Sequence, residues 1–102
     1  MKVISTTKAP AAIGPYSQAY EVGNLVYASG QIPVDPVTGQ APDGIKAQAE
    51  QSCRNVGAIL EAAGLTYENV VKTTCFLADM NDFQQFNEVY SEYFKKYGVH
   101  AP

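Results

Sequence analysis

The sequence predicts a small α+β fold: a β-sheet containing a hairpin, with two helices packed on one of its faces. Three observations lead there. A Gly23-Asn24 pair separates two extended runs, two amphipathic stretches of helical period follow, and an apolar run over residues 70–78 divides those stretches. At 102 residues the chain has room for one domain, spanning 1–102, and one core. Its hydrophobic fraction of 46% against 17% charged suits a globule rather than a disordered chain.

The elements follow in order. Residues 2–5 read as a short strand, then a loop runs through Pro10 and Gly14-Pro15. Residues 17–22 are extended, Gly23-Asn24 makes the tight turn because both residues tolerate positive φ, and 25–31 form the return strand. Pro33, Pro36 and Pro42 around Thr38-Gly39 make 32–43 a loop with at most one short edge strand. Asp43 is expected to cap the next helix and Gly64 to end it in a left-handed conformation. Between them, Ile45, Ala49, Ser52, Val56, Ile59, Leu60 and Ala63 form a buried stripe, with Lys46, Glu50, Arg54 and Glu61 mainly opposite.

Residues 70–78 read as the strongest strand. Val71, Cys75 and Leu77 point one way and Val70, Phe76 and Ala78 the other. Both faces are largely apolar, so the sheet is expected to be covered on both sides, by helices on one and by neighbouring subunits on the other. A second helix follows a cap at Asn81 or Asp82. Phe83, Phe86, Tyr90, Tyr93, Phe94 and Tyr97 mark its apolar face, which reads as core rather than a cofactor platform. Glu92 and Lys96 make an i,i+4 pair and Gly98 stops the helix.

Composition excludes several functions. A net charge of -3 argues against electrostatic capture of nucleic acid, and the adjacent Lys95-Lys96 suits a helix end. No apolar run is long enough to span a bilayer and no signal pattern opens the chain, so a soluble cytoplasmic protein is expected. Cys53 and Cys75 are expected as buried reduced thiols, and a nucleophilic role is weakly supported because the single histidine is His100. One histidine and two separated cysteines also argue against a metal site. No phosphate loop, Cys-x-x-Cys, His-Glu-x-x-His or Gly-x-Ser-x-Gly motif is present.

Special backbone residues concentrate in two places, Ile13-Gly14-Pro15-Tyr16-Ser17-Gln18 and Ser29-Gly30-Gln31-Ile32-Pro33. At the second, Gly30 permits close backbone approach and Ser29 offers a hydrogen-bonding hydroxyl, so a small polar ligand could sit against main-chain groups. Read on these residues alone, two ordinary turns with capping side chains are the better account.

Taken together, those stretches resemble the Rid (RidA/YjgF) family. The resemblance continues through Asp35-Pro36, Thr38-Gly39, Gln48-Ala49, Gln51-Ser52, Asn55-Val56, Glu61-Ala62-Ala63-Gly64, Val71-Lys72-Thr73-Thr74, Asp82-Phe83, Asn87 and Tyr90. It implies a chorismate-mutase-like (YjgF-like) fold with a mixed sheet, assembled as a homotrimer with ligand clefts between subunits. It implies hydrolytic deamination of 2-enamino and 2-imino acids such as 2-iminobutanoate and 2-iminopropanoate, without metal or organic cofactor. Tyr16, Ser29, Gly30, Ile32 and Asn87 would bind the substrate. The family's carboxylate-clamping arginine and water-positioning glutamate have no counterpart up to Pro102, and Arg54 is no substitute. The chain is therefore expected to be incomplete at its C-terminus, with catalytic residues beyond it, and nearly inactive as it stands. Two other readings are a non-catalytic metabolite-binding trimer and an RNA-directed ribonuclease or translation inhibitor; the acidic balance argues against the latter.

Overall fold

The computed structural model describes residues 1–94. Strands β1 (Lys2–Ile4), β2 (Ala19–Val22) and β3 (Leu25–Ala28) form an antiparallel sheet in that spatial order. The expected hairpin is present. Val22 pairs with Leu25 across the turn, where Gly23 takes φ +61°, a conformation that favours glycine. The mixed sheet is not seen, because both ladders among the described residues are antiparallel.

Register decides what each face does. Ile4 lies opposite Ala19, and Ala19 and Val26 share that face because side chains alternate along a strand. Ile4 and Ala19 are buried with Ala9 and with Ile59 of helix α1 (Ile45–Ala62), and Val26, Ala58 and Ala63 pack around them. The other face carries Val3, Tyr20 and Tyr27 in one cross-strand row and Val22 with Leu25 in the next. Val3, Val22, Leu25 and Tyr27 are exposed there, Tyr27 by 61%.

Helix α1 ends as expected. Gly64 takes φ +74°, its N–H donates to the Glu61 carbonyl, and the Leu65 N–H donates to the Leu60 carbonyl 2.8 Å away. Those two bonds complete a Schellman cap. Its start differs: Gly44, at φ +90°, occupies the cap and Asp43 does not cap the helix. Helix α2 (Phe83–Phe94) begins after a 3-10 turn over Met80–Asp82. There the Asp79 side chain, rather than Asn81 or Asp82, accepts from the Asn81 N–H at 2.9 Å.

The two helices meet at a second cluster, in which Cys53 and Phe94 are buried among Val56, Tyr67, Val70, Tyr90 and Tyr93. Tyr90 stacks on Phe94 with centroids 4.4 Å apart, and Tyr67 meets Phe94 edge-on at 5.4 Å. The aromatic stripe is core over Tyr90, Tyr93 and Phe94, but Phe83 is half exposed. Tyr97, Gly98, His100, Lys95 and Lys96, and so the pairing expected between Glu92 and Lys96, lie outside the described residues.

Three expectations are corrected. Residues 70–78 form no strand; Val71 is exposed and Phe76 is 92% exposed. A strand exists only when a neighbour supplies ladder partners, and none lies beside this segment among the described residues. Cys75, in that segment, is exposed rather than buried, while Cys53 is buried as expected; both are free thiols. Strand β3 stops at Ala28, three residues short, because side chains take over the carbonyls of the next residues.

Candidate functional site

The site is built around the segment that leaves β3. Two anchors hold it. At its start, the Ser29 N–H and Oγ both donate to the Gln18 carbonyl, at 2.9 and 3.0 Å. At its end, Asn55 Nδ2 donates to the carbonyls of Ile32 and Val34, each at 3.0 Å. Between the anchors, Gln31 Nε2 folds back onto the Ser29 and Gly30 carbonyls at 3.1 and 3.3 Å. Pro33 suits the bend between Ile32 and Val34. Its φ is confined near that of an inverse γ-turn, and the Val34 N–H donates to the Ile32 carbonyl at 2.8 Å.

These bonds give the segment a polarity. The carbonyls of Ser29, Gly30 and Ile32 are taken by side-chain amides, whereas the N–H groups of Gly30, Gln31 and Ile32 have no partner among the described residues. A row of backbone donors with satisfied carbonyls attracts anionic or carbonyl oxygens. The Ser29 hydroxyl has a fixed role too. Its proton goes to a carbonyl that can only accept, so the oxygen presents lone pairs to anything arriving from outside.

Gln18 is the junction with the other special stretch. It is buried, and its side-chain nitrogen donates to the carbonyls of Thr6, Ala9 and Pro10 while its oxygen accepts from the Thr6 N–H at 2.7 Å. The residues ahead of it, Tyr16 and Ser17, line an open cleft of about 460 Å³ with Val3, Ser5, Thr6 and Gln18. A second proline bend sets Tyr16: its N–H donates to the Gly14 carbonyl across Pro15 at 2.8 Å. The Tyr16 ring lies over Gly14, where an added side-chain carbon would meet it at 3.4 Å.

Of the five expected binding residues, Ser29, Gly30 and Ile32 lie on the anchored segment, while Tyr16 lines the cleft two residues before Gln18 and is not brought into contact with them. Ile32 and Tyr16 are exposed. Asn87 stands exposed on α2, and its side chain makes no hydrogen bond among the described residues. Arg54 is turned elsewhere, paired with Glu50 at 2.9 Å on the outer side of α1.

Two residues that matter here were not singled out from sequence as site residues, Gln18 and Asn55. Asn55 carried a signal. It sits three residues after Ser52 and four before Ile59, on the stripe expected to be buried, and an amide placed there needs partners. Gln18 gave no signal beyond its place in a Gly-Pro loop.

The antiparallel sheet is backed by α1, with α2 packed on α1 rather than on the sheet as expected. It carries a loop-built cleft and, beside it, a segment with backbone donors unpartnered among the described residues, the kind of surface that takes a small polar ligand. The chain belongs to the family described as Endoribonuclease L-PSP, whose model matches residues 6–102. It is 59% identical over 95 residues to the 2-iminobutanoate/2-iminopropanoate deaminase of Mus musculus, covering 92% of this chain and 70% of that one. With the protein of the same name from Escherichia coli K12 the identity is 50% over 101 residues, covering 99% and 79%. Among solved structures it is similar to E. coli TdcF with bound serine, at TM-score 0.94 and 46% identity, covering 100% of this chain and 80% of that one. The YjgF gene product of E. coli matches with TM-score 0.93 and 50% identity over the same shares.

Proposed function

We propose that the chain is a deaminase of reactive 2-enamino and 2-imino acids, converting substrates such as 2-iminobutanoate and 2-iminopropanoate to 2-oxo acids and ammonia. The observation that carries this reading is the set of N–H groups at Gly30, Gln31 and Ile32, unpartnered among the described residues, beside an acceptor hydroxyl at Ser29. The relatives named as deaminases of these imino acids support it.

The chemistry asks little of the protein. An imine carbon is already electrophilic, so the site must hold the substrate, fix its nitrogen and orient a water. The backbone N–H row receives the substrate carboxylate. The lone pairs of Ser29 Oγ accept from the substrate nitrogen or from the attacking water, and the exposed Tyr16 ring packs over the substrate. Water oxygen bonds to C2 and its protons pass to nitrogen; the C–N bond then breaks, leaving a 2-oxo acid and ammonia. Asn87 completes the wall from a neighbouring subunit. In this reading the arginine and glutamate implied by the family resemblance act in addition to these groups, and Arg54, already paired with Glu50, is neither a clamp nor part of the cleft.

The reading extends to a homotrimer. The sheet face bearing Val3, Val22, Leu25 and Tyr27 is apolar and faces away from α1, and a contiguous apolar face of this kind marks a subunit contact. A reducing compartment such as the cytoplasm suits the two free thiols. The family's ribonuclease name does not carry over readily. Lys8, Lys46 and Arg54 are each held by a carboxylate, and the net charge is -3.

The test is direct. Protein that carries the arginine and glutamate implied by the family resemblance, added to 2-iminobutanoate generated in situ, should speed the appearance of 2-oxobutanoate and ammonia, and Ser29→Ala should slow it. Rates equal to spontaneous hydrolysis, with serine binding retained, would move the assignment to a metabolite binder, the reading favoured by the serine seen in E. coli TdcF.

A further inference from the structure

We infer that Asn55 is a positioning residue of the anchored segment: from inside α1 it holds the bend at Pro33 and so sets the N–H groups of residues 30–32. Asn55 is 0% exposed and touches no substrate, yet it bonds residues more than twenty positions away in sequence. Its amide is fully used. The two N–H groups of Nδ2 serve the Ile32 and Val34 carbonyls, and Oδ1 accepts from Gln51 Nε2, one helical turn earlier, at 2.9 Å.

No other side chain of this size does the same. Aspartate would turn an acceptor toward two carbonyls, and leucine would leave those carbonyls without their buried donor. Residues 29–34 have no ladder to hold them. Their shape therefore depends on the Ser29–Gln18 bonds at one end and on Asn55 at the other. Released at the Asn55 end, the Ile32–Pro33 peptide plane, which carries no N–H of its own, can turn about ψ of Ile32, and the Ile32 N–H on the other side of the same Cα loses its fixed setting first. The ring of Pro33 resists such rotation only in φ, not in the adjoining ψ of Ile32.

This assignment rests on the deaminase reading for its activity arm and on backbone geometry for the other. In protein that carries the arginine and glutamate implied by the family resemblance, Asn55→Asp and Gln51→Met are compared with wild type at a temperature where circular dichroism shows each folded. Asn55→Asp should lower kcat/KM for 2-iminobutanoate by about tenfold, as expected for one lost hydrogen bond at a buried site. Its pH–rate profile should gain a descending limb, because only the protonated carboxyl can donate to a carbonyl. Gln51→Met, which frees Oδ1 alone, should lower kcat/KM less, and in both variants the amide resonances of Gly30, Gln31 and Ile32 should move. Folded variants with unmoved resonances, wild-type kcat/KM and a wild-type pH profile overturn the assignment; if Asn55→Asp fails to fold, Gln51→Met decides alone. A wild type without turnover overturns the deaminase reading instead. The positioning role is then judged on those resonances and on weakened binding of 2-oxobutanoate.

Discussion

At the scale of single residues, the two cysteines show how environment separates identical groups. Burial pushes the Cys53 thiol up to about 12, with Cys75 and Glu50 adding to the shift, while Cys75 is exposed. A thiol reagent at pH 8 should therefore label Cys75 quickly and Cys53 only after unfolding. The linkage has a definite sign. Because the folded state holds the Cys53 proton more tightly than the unfolded chain, this contribution to stability is complete below pH about 9 and is lost as pH rises toward about 12. Unfolding free energies at pH 8 and 10.5, compared with those of Cys53→Ala, should show a weaker decline in the variant. Ser29 yields a second prediction. Ser29→Ala keeps the backbone bond to Gln18 but loses the hydroxyl bond, so stability should fall by about 1 kcal/mol. A loss in kcat/KM well beyond that expected from the stability change would mark contact with substrate.

At the scale of elements, α1 carries conflicting demands at Gly57. Helix propensity alone favours alanine there by about 1 kcal/mol. The Tyr67 hydroxyl occupies the space, however, donating to the Cys53 carbonyl at 2.6 Å, and a Cβ at position 57 would overlap it. Gly57→Ala should destabilise by about 1–3 kcal/mol in chemical denaturation. Combined with Tyr67→Phe, which removes the overlapping oxygen, it should cost less than the sum of the single changes. Additive costs would mean that the hydroxyl is not the obstacle. The element boundaries also show what a sequence pattern conveys. The stripe of α1 and the Gly23-Asn24 turn were legible because periodicity and positive φ are local properties. The early end of β3 was not, because it depends on Gln31 and Asn55 amides claiming carbonyls that a ladder would otherwise use. Residues 70–78 failed in the same way: alternating apolar residues state a preference, and a ladder needs a partner.

At the scale of the whole molecule, the outer sheet face is the decisive surface. Leu25 and Tyr27 are exposed on it beside Val3 and Val22. Sedimentation at micromolar concentration should give a trimer, and Leu25→Lys, which places a charge on the apolar patch, should shift it toward monomer while leaving the hairpin intact. A wild type that sediments as a monomer would remove the trimer, and with it the neighbour proposed to bring Asn87 to the cleft. The amino-acid sequence by itself determined the α+β class, the hairpin, both helices, the Gly64 stop and the family, since these follow from local conformation and from residue order along most of the chain. Only the tertiary structure decided that Gln18 and Asn55 grip the ends of the 29–34 segment and that the N–H groups of Gly30, Gln31 and Ile32 are left without partners among the described residues. Each of those bonds joins residues distant in sequence, and no local pattern encodes which buried amide will meet which carbonyl.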